Sequence, residues 1–138
     1  MAVAPLFLAD KSALARLTNP KVSKRIGSLL IEGLVATCPI VDLEILYSAR
    51  SLVDYEAILV ERRALPSYPV TAEVTARAID VQHRLAGRGQ HRIPIPDLLV
   101  AAVAECNDVS VMHYDADFDR IAAVTNQPVE WVAPCGSI

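Results

Sequence analysis

Cysteine is nearly absent from this sequence: Cys38, Cys106 and Cys135 are the whole set, with no C-x-x-C pair among them. An odd, widely spaced trio indicates neither a disulfide framework nor a zinc site, and buried free thiols in a cytoplasmic protein are the expectation. Glycine is scarce as well, with 5 residues in 138, and no low-complexity tract, linker or internal repeat is visible. Long hydrophobic runs are missing too. The first apolar stretch, Ala2 to Ala9, has no basic flank before it and is broken by Asp10-Lys11, which suits neither a signal peptide nor a membrane span.

What is present is apolar and compactable. Hydrophobic residues make up 53% of the chain and charged ones 21%, enough for one packed domain over residues 1–138. The mean hydropathy of +0.34 reflects many small apolar residues. Only 3 of the 13 basic residues are lysine, and the net charge is −3. A nucleic-acid binder is ordinarily basic. If five carboxylates sit on divalent metal, however, −3 becomes +2 and the arginine excess suits phosphate contacts.

The periodicity switches repeatedly between strand and helix. Residues 5–9 read as a parallel strand buried on both faces, because the run Leu6-Phe7-Leu8-Ala9 is continuously apolar. A short helix over 12–17 follows, and then Asn19-Pro20 caps and opens a second helix striped by Val22, Ile26, Leu29 and Leu30. Residues 35–38 form a second strand, and helices follow over 40–50 and 53–65. Tyr68 lies in a brief extended piece. Thr71 opens a long amphipathic helix with Val74, Ala78, Val81 and Leu85 inward, closed by Gly87. After a loop over 87–96, a helix starts at Asp97, a strand covers 109–112, a short helix 116–124 and a last strand 129–132. Alternating strands and helices imply an α/β fold, a three-layer α/β/α sandwich with a mainly parallel central sheet.

In such a sheet, ligands bind beyond the carboxyl ends of the strands. Asp10 follows the first strand directly, and Asp115 and Asp117 follow the 109–112 strand. Asp97 stands behind Pro96 at a helix start, where the helix dipole favours its carboxylate. Glu44 shares a helical face with Ile40, Leu43 and Tyr47, but Val41, Ile45 and Leu52 make an equally good inward face that leaves Glu44 at the edge. Each acid also has a plain structural reading, as a cap, a first-turn acid or a surface residue. Gathered together, they repel one another unless a cation sits among them, and all-oxygen ligands select magnesium or manganese over zinc. Metal-activated water acting on a phosphodiester is the matching chemistry.

The segments Leu-Ala-Asp-Lys-Ser-Ala-Leu (8–14), Val-Asp-Leu-Glu-Ile-Leu-Tyr (41–47), Ile-Pro-Asp-Leu-Leu-Val-Ala-Ala-Val-Ala (95–104) and His-Tyr-Asp-Ala-Asp-Phe-Asp-Arg-Ile-Ala (113–122) make the chain resemble the PIN domains, and within them the VapC-like toxins of toxin-antitoxin pairs. The resemblance spans nearly the whole chain. It implies an acidic quartet of Asp10, Glu44, Asp97 and Asp115, with Asp117 a fifth acid near the metals and Ser12 steadying the quartet by hydrogen bonding. It further implies Mg2+ or Mn2+ as cofactor, RNA as substrate, a homodimer, and neutralisation by a VapB-like antitoxin that lays an apolar helix in a groove and sends an arginine toward Asp10, Asp97 and Asp115.

Two positions depart from the family pattern: Lys11 stands where threonine is commonest, and His113 where a threonine usually precedes the Asp-x-Asp-Phe segment. Lys11 can contact phosphate or stand free in solvent, and His113 suits hydrogen-bonded structure better than metal ligation. Arg88, His91 and Arg92 on the basic loop can guide RNA to the site, and Arg50 and Arg84 can join them. Trp131 and Phe118 read as core rather than as stacking platforms. Two rivals remain at this level: a DNA-directed metal nuclease, since no motif reads a 2′-hydroxyl, and a receiver-like binding module, which would need a late lysine, whereas the last lysine here is Lys24.

Overall fold

The computed structural model describes residues 4–138, which form eleven elements in strict chain order. They are β1 (Phe7–Ala9), α1 (Lys11–Leu14), α2 (Pro20–Ile31), β2 (Val35–Ala36), α3 (Pro39–Tyr47), α4 (Leu52–Arg63), α5 (Ala72–Ala86), α6 (Ile95–Cys106), β3 (Ser110–His113), α7 (Asp117–Thr125) and β4 (Val129–Trp131). The four strands lie in the order β2-β1-β3-β4, all parallel.

The pleat sends alternate residues to opposite faces, and the two resulting cores are distinct. Leu8, Ala36 and Val111 join residues of α3, α5, α6 and α7 on one face. Ala9, Val35 and Met112 join Ala13, Val22 and Ile26 of α1 and α2 on the other. The sandwich therefore has three layers. Within it α6 is buried almost end to end, and Ala101, Ala102 and Ala104 keep its surface small. Asp97 rides into the interior on that helix.

The strand order also fixes where a site can form. The chain leaves β1 toward β2 on one side, returns across the sheet to β3, and continues outward to β4. The direction of winding thus reverses between β1 and β3, and a crevice opens beyond their carboxyl ends. Asp10 N–H donates to the Met112 carbonyl at 2.9 Å, so the last pairing of the sheet lies at the lip of that crevice.

Local signals account for most helix starts. Asn19, Ser51 and Thr71 each cap a helix by accepting a backbone N–H, from Lys21, Asp54 and Val74 respectively. The brief extended piece near Tyr68 pairs beside β2: Thr37 bridges Ser67, and Tyr68 N–H donates to the Thr37 carbonyl. Thr37 also anchors the α3–α4 hairpin. Its hydroxyl donates to Asp42 Oδ1 at 2.8 Å, while buried Arg62 donates from Nε to the same oxygen at 2.9 Å and from Nη2 to the Thr37 hydroxyl at 2.7 Å.

Two expectations need correction, and a third, the helix end at Gly87, holds. The helix carrying Asp97 begins at Ile95, so Asp97 occupies its first turn rather than its start; Pro94 and Pro96 set the entry, with no side-chain cap. Gly87 does end α5, but in right-handed geometry, and the left-handed turn falls at Gly89 (φ 68°). Of the three thiols only Cys38 is buried, where desolvation pushes its pKa up, while Cys106 is half-buried and Cys135 is exposed in the closing turn.

Candidate active site

The crevice between β1 and β3 gathers acids from four elements. Asp10 leaves β1 and caps α1: its Oδ2 accepts the Ser12 N–H at 2.9 Å, and its Oδ1 is buried without a partner. Asp115 follows β3, its Oδ1 accepting the Asp117 N–H at 2.9 Å. Asp97 enters from α6 and is only 7% exposed. One carboxylate oxygen from each of Asp97, Asp115 and Asp117 lies within 4.8 Å of the other two.

Glu44 comes from the side, on α3. Val41 and Leu46 are buried there while Leu43 and Tyr47 are exposed, so the inward face is the Val41–Ile45 one and Glu44 sits at its edge. One of its oxygens is nonetheless buried and unpartnered, and the other lies 3.4 Å from Lys11 Nζ. Lys11 is thus neither free in solvent nor placed on its own: it flanks the acids as their neighbour's counter-charge.

Electrostatically the group is unsatisfied. Burial, and then the charges of Asp10, Asp115, Asp117 and Glu44, push the Asp97 carboxyl up to about 7. A hard divalent cation fits this donor set: three converging carboxylate oxygens, an orphaned buried oxygen on Asp10 and a carboxyl that resists ionising without a counter-charge all call for one.

The supporting groups are of two kinds. The Ser12 hydroxyl touches none of the acids; it accepts the Tyr114 N–H at 2.9 Å and ties α1 to the end of β3, while the Ser12 backbone holds Asp10. His113 is fully buried, packed against Phe118 and Trp131, and its Nδ1 accepts the Asp115 N–H at 3.1 Å. Desolvation lowers its pKa, so it stands neutral as an acceptor that positions the Asp115 backbone. Phe118 is core, whereas Trp131 is half-buried and donates from Nε1 to Asp119.

Sequence reasoning missed Arg120, whose Nη1 donates to Asp117 Oδ1 at 2.5 Å. The i, i+3 spacing of the two on α7 was the available signal. Of the basic loop residues, Arg92 lies beside Asp117 and Arg120 around one recess, whereas Arg88 and His91 do not line it. Arg84 pairs with Asp80, and the Arg50 backbone bonds to Asp54.

Residues 7–124 match the family model of the PIN domain. This chain belongs to the PIN domain family. Among its relatives, Ribonuclease VapC21 of Mycobacterium tuberculosis is 47% identical over 133 residues, covering 95% of this chain and 96% of the relative. Ribonuclease VapC51 of the same species is 43% identical over 132 residues, covering 96% of each. The fold matches that of the Rickettsia felis VapBC2 complex bound to a promoter DNA fragment, with a TM-score of 0.74 over 93% of this chain and 98% of that one at 18% identity. The PIN domain assignment removes the receiver-like alternative. Among the described residues no helix of this PIN domain is long and apolar enough to cross a membrane.

Proposed function

We propose that the protein is a metal-dependent endoribonuclease, the toxin of a VapBC-like pair, acting in the cytoplasm as one PIN domain. The observation that carries this reading is the convergence of Asp97, Asp115 and Asp117 within 4.8 Å, together with a buried Asp10 oxygen that has no partner among the described residues. The relatives' names, which are ribonucleases, support RNA as the substrate.

In this reading Asp10, Asp97, Asp115 and Asp117 hold Mg2+ or Mn2+. When bound, such an ion would supply Lewis-acid activation of water and charge stabilisation at a phosphodiester. Glu44, one oxygen of which is buried without a partner among the described residues, would accept a proton at the site. His113 holds the Asp115 backbone, and the Ser12 N–H holds the Asp10 carboxylate. Lys11 pairs with Glu44 and meets the approaching strand at the rim.

The protein acts as a homodimer, through the apolar cleft of about 240 Å3 between α5 and α6, where Ile79 and Ile95 are 68% and 65% exposed. A VapB-like antitoxin segment occupies a second cleft, of about 300 Å3, lined by Leu14, Leu17, Ile45 and Ile58 and ending at Lys11 and Glu44. From there its arginine reaches the acids. The VapBC complexes among the similar structures support such a partner.

The deciding experiment offers matched single-stranded RNA and DNA to the purified protein with Mg2+, Mn2+ or excess chelator. Metal-dependent RNA cleavage is expected. Cleavage that survives chelation, or that prefers DNA, overturns the reading. Sedimentation of wild type and Ile79→Asp tests the dimer, with dissociation expected in the variant. Antitoxin binding should lower the affinity for metal.

A further inference from the structure

The loop after α5 and the start of α7 line a shallow, open recess of about 190 Å3 formed by Gln90, Arg92, Ile93, Asp117 and Arg120. It shares Asp117 with the acid triplet, so it opens directly beside the candidate metal site. Its polar groups are short of partners. Arg120 makes a single side-chain hydrogen bond among the described residues, to Asp117, which leaves most donors of the guanidinium free. Neither Gln90 nor Arg92 has a side-chain hydrogen bond or ion pair among the described residues.

The recess is built rather than slack. The N–H groups of Arg88, Gly89 and Gln90 all bond back to the last turn of α5, and Gly89 takes the left-handed conformation that permits the reversal. Ile93 is buried in the core, which pins the chain one residue beyond Arg92. On the opposite wall, Asp117 holds the Arg120 guanidinium to α7 by one edge. Two guanidinium groups, one amide and a single carboxylate, Asp117, thus line one small volume and leave it net positive. Arginine presents donors in the fork geometry that phosphate accepts.

We propose that Gln90, Arg92 and Arg120 form a subsite for a backbone phosphate adjoining the scissile one, with Asp117 serving both the acid cluster and the positioning of Arg120. This rests on the ribonuclease reading and adds to it a fixed side of exit for the strand. Of the basic loop groups expected to meet RNA, it selects Arg92 and adds a partner from α7.

The test compares Arg92→Gln, Arg120→Gln, Arg120→Lys and a charge-matched control, Arg63→Gln, whose side chain is exposed on α4 and without an ion pair. Binding of a fluorescein-labelled single-stranded RNA is followed by anisotropy in chelator across a salt series, and cleavage kinetics are run in Mg2+. Each Gln variant should weaken binding about 5- to 20-fold and flatten the log–log salt slope by about 0.7. In cleavage, KM should rise by a similar factor with kcat nearly unchanged. Arg120→Lys should restore the slope but only part of the affinity, and Arg63→Gln should match wild type. If both Gln variants bind like Arg63→Gln while wild type still cleaves RNA, the subsite is wrong and the ribonuclease reading stands. A fall in kcat alone for Arg120→Gln would make Arg120 merely a support for Asp117. Should Arg120→Gln fail to fold, Arg92→Gln decides, because its side chain has no partner to lose. Wild type that neither binds nor cleaves RNA overturns both.

Discussion

Two of the polar clusters inside this small protein are built on opposite principles. At the α3–α4 hairpin, Thr37, Asp42 and Arg62 satisfy one another completely: one anion, one cation and one hydroxyl joined by three hydrogen bonds. In the crevice between β1 and β3, carboxylates crowd together, oxygens of Asp10 and Glu44 are buried without partners, and Asp97 is pushed up to about 7. The first arrangement spends its charges on holding a hairpin. The second leaves them open, at a cost to the empty protein, so that a ligand can satisfy them.

Breaking the unsatisfied group should have the largest effect. Asp97→Asn keeps the shape of the side chain and removes one charge, so RNA cleavage should fall by orders of magnitude. In chelator at neutral pH, however, the variant should melt above wild type, because part of the repulsion is gone, and it should gain less from added Mg2+. Thermal melts beside a cleavage assay check both; an active variant with a wild-type response to Mg2+ would remove Asp97 from the site.

Breaking the satisfied group should show the opposite pattern. Arg62→Met leaves Asp42 without its cation at a site 8% exposed at the arginine, and should lower stability by about 3–5 kcal/mol in urea unfolding. What remains folded should cleave RNA at a rate close to wild type. A loss below 1 kcal/mol would mean that the hairpin is held by other contacts.

The comparison sharpens with pH. Asp97 has a folded-state pKa of about 7 against an ordinary 3.8, so the folded protein binds this proton more tightly than the unfolded chain does. Its contribution is therefore fully present below about pH 4 and is lost as pH rises toward 7, on the order of a few kcal/mol in chelator. Melting temperature against pH should slope downward for wild type over that range. The slope should be shallower for Asp97→Asn, and saturating Mg2+ should flatten it for wild type.

The smallest effect belongs to the rim. Lys11 and Glu44 are 3.4 Å apart with the lysine side chain half exposed, so Lys11→Gln should change stability by less than about 1 kcal/mol. Its consequence should fall on KM for RNA instead.

Much of the fold was legible because its signals are local. Apolar runs marked β1 and β3, Asn19 and Thr71 marked helix starts through their own side chains, and the acids behind Ala9 and Met112 pointed at the crevice. Glu44 was ambiguous because α3 carries apolar residues around most of its circumference, so periodicity alone could not select the buried side; packing on α6 and α4 did. The supporting groups were invisible for a different reason. His113 reads as a strand-closing residue until its acceptor role toward Asp115 is seen, Arg62 meets Asp42 and Thr37 only after a helical hairpin folds back, and Arg120 gains meaning from a loop some thirty residues earlier. Gly87 marked the end of α5 in the sequence, while the left-handed turn at Gly89 shows only in the folded backbone, where the Arg88 and Gln90 N–H groups bond to the Leu85 carbonyl.

The pairing of β1 with β3 also governs when the molecule becomes chemically competent. Leu8 lies beside Val111, and Ser12 is bonded to Tyr114, 102 residues further on. Contacts of that span form late, after most loop-closure entropy has been met. During synthesis Asp10 emerges well before the acids it meets, and has nothing set beside it until α6, β3 and the first turn of α7 have left the exit tunnel and folded. The acids thus stay apart until α6, β3 and α7 are in place beside β1, and an incompletely folded chain has no assembled acid site.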